Sequence, residues 1–295
     1  MNNRHAVARA LVGSLRVRQW VKNALVLAPL VFAGRLANPA DALAAAIAGA
    51  CFCLASSGVY LVNDVLDRRM DRFHPVKRAR PVASGAVPAR TAYAVAAALL
   101  ILASLAAVRF HLRLGGIVLL YIALCGAYSL GLKRFVIVDV LALSLGFVMR
   151  VWGGAVVLDL MPSHWLQMAV FFLALFVSLA KRRQELLMLH AGALQHRHVL
   201  ADYTPALIDQ MTSVLSGVAI VCYALYAVSP EVEARVGTFG FVYSVPFVVY
   251  GVLRYLYLVH VREEGLDPTE ALLTDRPMLV SVVLWTLAVL VTLYR

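Results

Sequence analysis

Four polar side chains that can hold a metal ion lie close together in the first quarter of the chain, at Asn63, Asp64, Asp67 and Asp71. They directly follow an apolar stretch, residues 42–62. In a helix, Asn63, Asp67 and Asp71 share one face, because they stand at i, i+4 and i+8. Amide and carboxylate oxygens suit Mg²⁺, which commonly binds one or two carboxylates together with substrate phosphates. The spacing predicts a magnesium site with these three ligands, and Asp64, about 100° round the helix, is a fourth catalytic candidate.

Basic side chains gather in the loops next to this acidic stretch. We expect substrate phosphates to be bound by Lys22, Lys77, Arg78, Arg80, Lys133, Lys181, Arg182 and Arg183. A ring of cations around an acidic metal site fits a polyphosphate substrate, because Mg²⁺ bridges phosphates while Lys and Arg bind the remaining oxygens. For the acidic stretch, the alternative interpretation is a solvated, charged helix end. The dense basic loop that directly follows it argues against this alternative.

The composition is that of an integral membrane protein. Of the 295 residues, 62% are hydrophobic and only 15% are charged, which excludes an ordinary soluble domain. The pattern predicts an all-α bundle of nine transmembrane helices within a single domain, residues 1–295. The predicted spans are 20–36, 41–62, 90–108, 114–131, 135–157, 165–181, 207–228, 237–258 and 278–294. The first span is short and contains Pro29, which predicts a kinked or tilted helix.

The distribution of basic residues orients the predicted bundle. If the nine spans alternate, 21 of the 27 Lys and Arg residues lie on the side of the amino terminus. The positive-inside rule therefore places the amino terminus in the cytoplasm, and the long loops 63–90, 182–206 and 259–277 lie there too. We expect a multi-pass protein of the cytoplasmic (inner) membrane whose active site faces the cytoplasm. The net charge of +11 reflects topology and anionic lipid, so no nucleic acid partner is expected, and a homo-oligomer is compatible with the sequence.

The acidic stretch resembles a known motif. Asn-Asp-x-x-Asp-x-x-x-Asp at residues 63–71, at the end of the second predicted span, is similar to the first aspartate-rich motif of the UbiA prenyltransferase superfamily. Members of that superfamily bind a prenyl diphosphate through Mg²⁺ at two such motifs and transfer the prenyl group to an acceptor. In number of spans and placement of loops, the resemblance extends over essentially the whole chain.

The second motif departs from the superfamily pattern. Residues 179–186 contain a single acid, Glu185, where members usually have two or three; Glu263-x-x-x-Asp267 in the last loop is a weaker substitute. One branch of the superfamily looks like this sequence, namely the decaprenyl-phosphate phosphoribosyltransferases. The matching segments are Arg18-Gln19-Trp20-Val21-Lys22-Asn23, His74-Pro75-Val76-Lys77-Arg78-Ala79-Arg80-Pro81, Tyr128-Ser129-Leu130-x-Leu132-Lys133 and Lys181-Arg182-Arg183-x-Glu185-Leu186. They add Asn23, Tyr128 and Glu185 to the predicted cavity.

The resemblance implies a reaction. The branch transfers 5-phosphoribose from phosphoribosyl diphosphate to a polyprenyl phosphate, a step toward lipid-linked arabinose donors. Mg²⁺ at Asn63, Asp67 and Asp71 would then neutralise the departing pyrophosphate. The lipid phosphate is already an anionic nucleophile at neutral pH, so no strong general base is needed.

Two ionisable residues fall inside the fifth predicted span. Asp139 and Arg150 are eleven residues apart and so share a helix face. Ionisable residues within a membrane usually face a cavity, although a role in helix packing is the simpler alternative. We expect Asp139 to orient a lysine or a ribose hydroxyl, and Arg150 to support the cavity. The adjacent Gly153–Gly154 pair predicts close helix packing.

Two other functions remain open from the sequence. An aromatic or quinone-type prenyltransferase would have the same fold and metal, but the missing second acidic motif argues against it. A transporter or other non-enzymatic membrane protein would place polar groups near the membrane midplane with repeat symmetry, whereas the polar groups here gather at one face.

Overall fold

The computed structural model describes residues 2–189, 202–236, 239–261 and 274–294, and within these ranges the chain is helical without strands. The main helices are α1 (Asn2–Ser14), α2 (Ala28–Phe32), α3 (Pro39–Leu66), α4 (Ala89–Phe110), α5 (Leu112–Leu130), α6 (Val138–Val156), α7 (His164–Leu189), α8 (Pro205–Ala227), α9 (Val245–His260) and α10 (Arg276–Tyr294). Shorter α-helical turns are Arg68–Asp71, Pro81–Ser84 and Pro230–Val236, and 3₁₀ turns are Val17–Leu27, Lys77–Ala79, Leu132–Arg134 and Phe239–Ser244.

Within the described residues, eight helices are long and apolar enough to cross a membrane, namely α3 to α10, with α9 counted together with the 3₁₀ turn before it as Gly240–His260. Their interiors carry few charges, and many of their apolar side chains face outward, as expected where lipid is the solvent. The predicted all-α membrane protein is therefore confirmed.

The first predicted span, 20–36, is not one regular helix. The 3₁₀ segment Val17–Leu27 runs into α2, with Pro29 in the first turn of that short helix, where its missing N–H breaks no hydrogen bond. A 3₁₀ helix rises about 2.0 Å per residue against 1.5 Å for an α-helix, so the two pieces together would extend about 30 Å. That length matches the hydrocarbon core of a bilayer. The count of nine spans and the side of the amino terminus stay predictions.

The long helices pack in chain order, each against the next from α3 to α10. The amino-terminal segment joins the two halves of this series. Val17–Leu27 packs on α3 and α6, and the ring of Phe32 lies 5.5 Å from that of Tyr226 on α8 and 6.1 Å from that of Trp285 on α10. In addition, the backbone N–H of Leu36 donates to the Tyr294 hydroxyl at 2.9 Å. Residues 17–36 therefore contact helices early in the series, α3 and α6, and late in it, α8 and α10.

Two adjacent glycines on α6 make this approach possible. A Cβ on Gly154 would lie 1.8 Å from the carbonyl oxygen of Val26, and a Cβ on Gly153 would lie 2.3 Å from the ring of Phe52. Both distances are far below contact, so a side chain at Gly154 would push the backbones apart and one at Gly153 would displace the Phe52 ring. The close packing predicted for this pair is confirmed.

Gly154→Ala should therefore destabilise the protein by about 1–3 kcal/mol, the usual cost of overpacking. The obstacle is a backbone carbonyl that cannot rotate away. The measurement is the apparent melting temperature in detergent. Gly116→Ala on α5 is the matched control, because nothing lies within 4 Å of its added Cβ. Equal melting temperatures for both variants would contradict the predicted clash.

Candidate functional site

The acidic residues gather where α3 ends. Asp67 caps the carboxyl end of α3, and its backbone N–H still donates to the Asn63 carbonyl at 2.8 Å. The N–H of Asp71 donates in turn to the Asp67 carbonyl at 2.8 Å, so the helical path continues through the turn Arg68–Asp71. The four predicted residues therefore remain on one continuous, nearly helical stretch.

One group within this stretch consists of Asn63, Asp67 and Lys133. The Asn63 amide donates to Asp67 Oδ2 at 3.0 Å. Lys133, carried on the turn Leu132–Arg134, places its Nζ 2.5 Å from Asp67 Oδ1 and 3.5 Å from Asn63 Oδ1. The Asp67 side chain is 29% exposed, so it is accessible to a ligand. The structure thus brings together two predicted metal ligands and one predicted phosphate-binding lysine.

A second group consists of Asp64 and Asp71 with two arginines. Arg80 Nη1 lies 3.2 Å from Asp64 Oδ1 and 2.7 Å from Asp71 Oδ2, and Arg16 forms a further ion pair with Asp64. Both carboxylates are buried. Residues seven apart differ by only about 20° round a helix, so Asp64 and Asp71 share a face as well. Arg16 was missed from the sequence, because nothing distinguishes it there from the other basic residues of the amino-terminal stretch.

The end of α7 holds a buried arginine. Arg182 is 2% exposed, and its Nε lies 2.8 Å from Asp139 Oδ2 on α6. Its Nη1 lies 2.8 Å from Glu185 Oε2, and its Nη2 donates to the Tyr128 hydroxyl at 3.1 Å. The structure thus joins three predicted cavity residues around Arg182. Direct phosphate binding by Arg182 stays a prediction, and its burial favours a positioning role.

The other oxygen of Glu185 connects this group to the loop after α3. Lys77 Nζ lies 3.1 Å from Glu185 Oε1. The turn that carries Lys77 is shaped by His74, whose buried ring accepts the backbone N–H groups of Val76 and Lys77 at Nδ1, each at 3.2 Å. His74 therefore has a structural role in this turn.

Arg183 faces a different part of the protein. Its Nε lies 2.6 Å from Asp209 Oδ1 on α8, and its Nη1 donates to the Val259 carbonyl at 3.2 Å. His260 Nε2 also lies 3.2 Å from the same oxygen of Asp209. One residue further along a helix is about 100° further round, which turns Arg183 toward α8 and α9. None of the described partners of Arg183 is a predicted metal ligand at the end of α3. Phosphate binding by Arg183 stays a prediction.

Asn23 lies with Arg150 instead of with the acidic cluster. Arg150 donates from Nε to Asn23 Oδ1 at 2.7 Å, from Nη1 to the Gly146 carbonyl at 2.7 Å and from Nη2 to the Tyr121 hydroxyl at 2.9 Å. Asn23 and Arg150 are both buried. These contacts tie the 3₁₀ segment to α5 and α6, which agrees with the supporting role expected for Arg150.

The remaining predicted residues are more exposed or outside the described ranges. Lys22 is half-buried in the 3₁₀ segment, Lys181 is half-buried on α7, and Arg78 is exposed on the turn Lys77–Ala79. Phosphate binding by these three cations stays a prediction. Glu263 and Asp267 lie outside the described residues.

The donors fit a metal ion shared with a substrate. Among residues 2–189, 202–236, 239–261 and 274–294, no three His, Cys, Asp or Glu side chains converge on a metal position. Asn63 Oδ1 and Asp67 Oδ1 nevertheless both lie within 3.5 Å of Lys133 Nζ, and the Asp67 side chain is accessible. Mg²⁺ needs only one or two carboxylates when phosphates complete its shell. The group therefore fits a Mg²⁺ bound jointly with a phosphate, and Asp71 as a third ligand stays a prediction.

Together, the fold and this charged cluster define a multi-pass helical membrane protein with a polar site at one end of its helices. The chain belongs to the UbiA prenyltransferase family, whose model matches residues 24–274. This confirms the resemblance carried by the first aspartate-rich motif.

Relatives of known name match over nearly the full length. The chain is 33% identical to decaprenyl-phosphate phosphoribosyltransferase of Mycolicibacterium smegmatis, covering 93% of this chain and 89% of that protein. It is 32% identical to the protein of the same name from Corynebacterium glutamicum, covering 98% and 88%. Among solved structures, a UbiA homolog from Archaeoglobus fulgidus bound to GPP and Mg²⁺ superposes with a TM-score of 0.73 at 18% identity, covering 97% of this chain and 100% of that one. At this identity, the structural likeness supports the fold alone.

Arg182→Met should lower stability by about 3–5 kcal/mol, because it leaves the fully buried Asp139 without its cation. The double variant Arg182→Met/Asp139→Asn should recover part of that loss. Thermal unfolding in detergent is the measurement, with Arg78→Met as an exposed control. Unfolding of Arg182→Met at the parent temperature would contradict the role of this ion pair.

Proposed function

We propose that the protein transfers 5-phosphoribose from phosphoribosyl diphosphate to a polyprenyl phosphate in the membrane, with release of pyrophosphate. The observation that carries the proposal is the group formed by Asn63, Asp67 and Lys133. It places oxygens of the kind that bind Mg²⁺ beside a lysine, and the Asp67 side chain is accessible. Arg80 and Lys77 lie on the adjoining loop. The names of the full-length relatives support the same reaction.

The donor diphosphate fits the Asn63 group. Oxygens of Asn63 and Asp67 would hold Mg²⁺, which when bound would neutralise charge on the leaving pyrophosphate. Lys133 would donate hydrogen bonds to phosphate oxygens in place of its present contact with Asp67. This exchange costs less than breaking a buried pair, because both side chains are partly exposed.

The acceptor needs charge neutralisation more than proton removal. A phosphate monoester has a second pKa near 6 by analogy with phosphoserine, so it is already nucleophilic at neutral pH. A phosphate oxygen of the lipid forms a bond to C1 of the ribose, and the C1–oxygen bond to pyrophosphate breaks with its electron pair. Both substrates are anions that repel one another. Lys77, Arg80 and Lys133 would lower that repulsion.

The site is proposed to face the cytoplasm from the inner membrane. Basic residues concentrate on the loops that carry it, which the positive-inside rule assigns to the cytoplasm. A water-soluble phosphorylated donor would then enter from the cytoplasm, while the polyprenyl chain stays among the apolar helices.

The direct test is incubation of the purified full-length protein in lipid nanodiscs with labelled phosphoribosyl diphosphate, polyprenyl phosphate and Mg²⁺. We expect label in the organic phase, dependent on the lipid and lost with EDTA. A parallel reaction supplies a prenyl diphosphate and an aromatic acceptor. Product only in that reaction would overturn the proposal and favour the ordinary prenyltransferase function.

Asp67→Asn should reduce phosphoribosyl transfer by at least about a hundredfold while leaving the melting temperature nearly unchanged. The substitution removes the negative charge of an accessible carboxylate that is proposed to bind Mg²⁺. Loss of one such electrostatic group commonly lowers the rate by about a hundredfold or more. The measurement is organic-phase label per mole of folded protein. Asp41→Asn, in the first turn of the same helix at its opposite end, is the control and should keep full activity. Full activity of Asp67→Asn with unchanged Mg²⁺ dependence would remove Asp67 from the site.

A further inference from the structure

A buried tyrosine beyond the predicted site is the first member of a continuous polar network. Tyr203 precedes α8 and is 3% exposed. Its hydroxyl accepts the backbone N–H of Ile137 at 2.7 Å and donates to Asp139 Oδ1 at 3.0 Å. Burial raises the pKa of Tyr203 to about 12, so the hydroxyl stays protonated and able to donate throughout the physiological range.

The tyrosine hydroxyl binds the backbone at a strained position. Ile137 has φ 67° and ψ −44°, in the positive-φ region that β-branched residues rarely adopt. Such a conformation persists only where the surroundings fix it. The hydrogen bond from the Ile137 N–H to the Tyr203 hydroxyl is one such constraint. Ile137 lies directly before the start of α6, which carries Asp139 in its first turn.

The network continues from Asp139 across three elements. The second oxygen of Asp139 binds Arg182, and Arg182 binds Glu185. Glu185 in turn forms the ion pair with Lys77 on the loop after α3. The segment before α8 is thus connected, through α6 and α7, to Lys77, on the loop whose Arg80 binds Asp64 and Asp71.

We propose that Tyr203 is a positioning residue, which through Asp139, Arg182 and Glu185 sets the place of Lys77 for binding of a phosphorylated substrate. The described partners of the Tyr203 hydroxyl are Ile137 and Asp139, neither of them a predicted metal ligand. This inference rests on the proposed function, since it names a group that controls affinity at the same site.

The kinetic test compares Tyr203→Phe with Tyr223→Phe. Tyr223 is also buried and bonded through its hydroxyl, to Ser244 at 2.7 Å and to Trp285 at 2.7 Å, in a region remote from this network. Tyr203→Phe should raise KM for phosphoribosyl diphosphate or polyprenyl phosphate roughly three- to tenfold, with a smaller change in kcat. The substitution removes the hydrogen bond to Asp139, which affects substrate binding only through the network. Tyr223→Phe should leave both KM values unchanged. Parent KM values in Tyr203→Phe would overturn the proposal.

A second measurement needs no activity. Trypsin can cut after Lys77 and Arg78, and limited digestion followed by mass analysis reports how firmly this turn is held. Tyr203→Phe and Glu185→Gln should both be cut there severalfold faster than the parent, and Tyr223→Phe at the parent rate. Glu185→Gln also covers the case in which Tyr203→Phe does not fold.

The two measurements separate this inference from the proposed reaction. Faster cleavage in a protein without phosphoribosyl transfer would uphold the network and overturn the function. Parent cleavage rates in both Tyr203→Phe and Glu185→Gln would overturn the network, whatever the activity.

Discussion

The arrangement of the site depends on the neutralisation of charge that is buried at the end of the bundle. Asp139 is completely buried and Arg182 is 2% exposed, and the charge of each is compensated by the other, with Glu185 as a second partner of Arg182. Because they pair at 2.8 Å, the start of α6 and the end of α7 are fixed relative to each other. Tyr128 and Glu185 then take their places on the remaining guanidinium nitrogens.

Exposure divides the cations of the cluster into two kinds. The side chains of Lys77 and Lys133 are 25% and 15% exposed, whereas that of Arg182 is 3% exposed. A lysine is a compact charge on a flexible stem, and a partly exposed pair separates at smaller cost than a buried one. A buried guanidinium with three fixed partners does not. This difference supports the proposed division of roles, in which the lysines bind substrate phosphates and Arg182 belongs to the framework that holds them.

The irregular amino-terminal segment sets the other boundary of the site. Its 3₁₀ stretch approaches α6 at Gly154, where only a glycine fits, and carries Asn23 to Arg150. Arg16 lies in the turn between α1 and the 3₁₀ segment, with φ 53°, and forms its ion pair with Asp64 from there. A regular helix over these residues would direct those side chains differently, so the irregularity has a specific consequence for the acidic cluster.

The sequence by itself determined the membrane class, the position of most long helices and the clustering of acids at the end of α3. These properties follow from local features: runs of apolar residues of membrane length, and a helical period that places residues four apart on one face. For the same reason the Gly153–Gly154 contact and the family were predictable from short segments. The sequence also named Lys133, Lys77 and Arg80, because their loops adjoin the acidic stretch.

Only the tertiary structure decided which acid is bound to which cation. Arg182 and Arg183 are neighbours in sequence, yet one is bound to Asp139 and the other to Asp209, because adjacent residues of a helix point about 100° apart. Tyr203 binds Asp139 from 64 residues away in sequence, and Arg16 binds Asp64 from 48 residues away. Such pairings are set by helix packing and by the need to neutralise every buried charge. Both are properties of the assembled bundle, and no local pattern contains them.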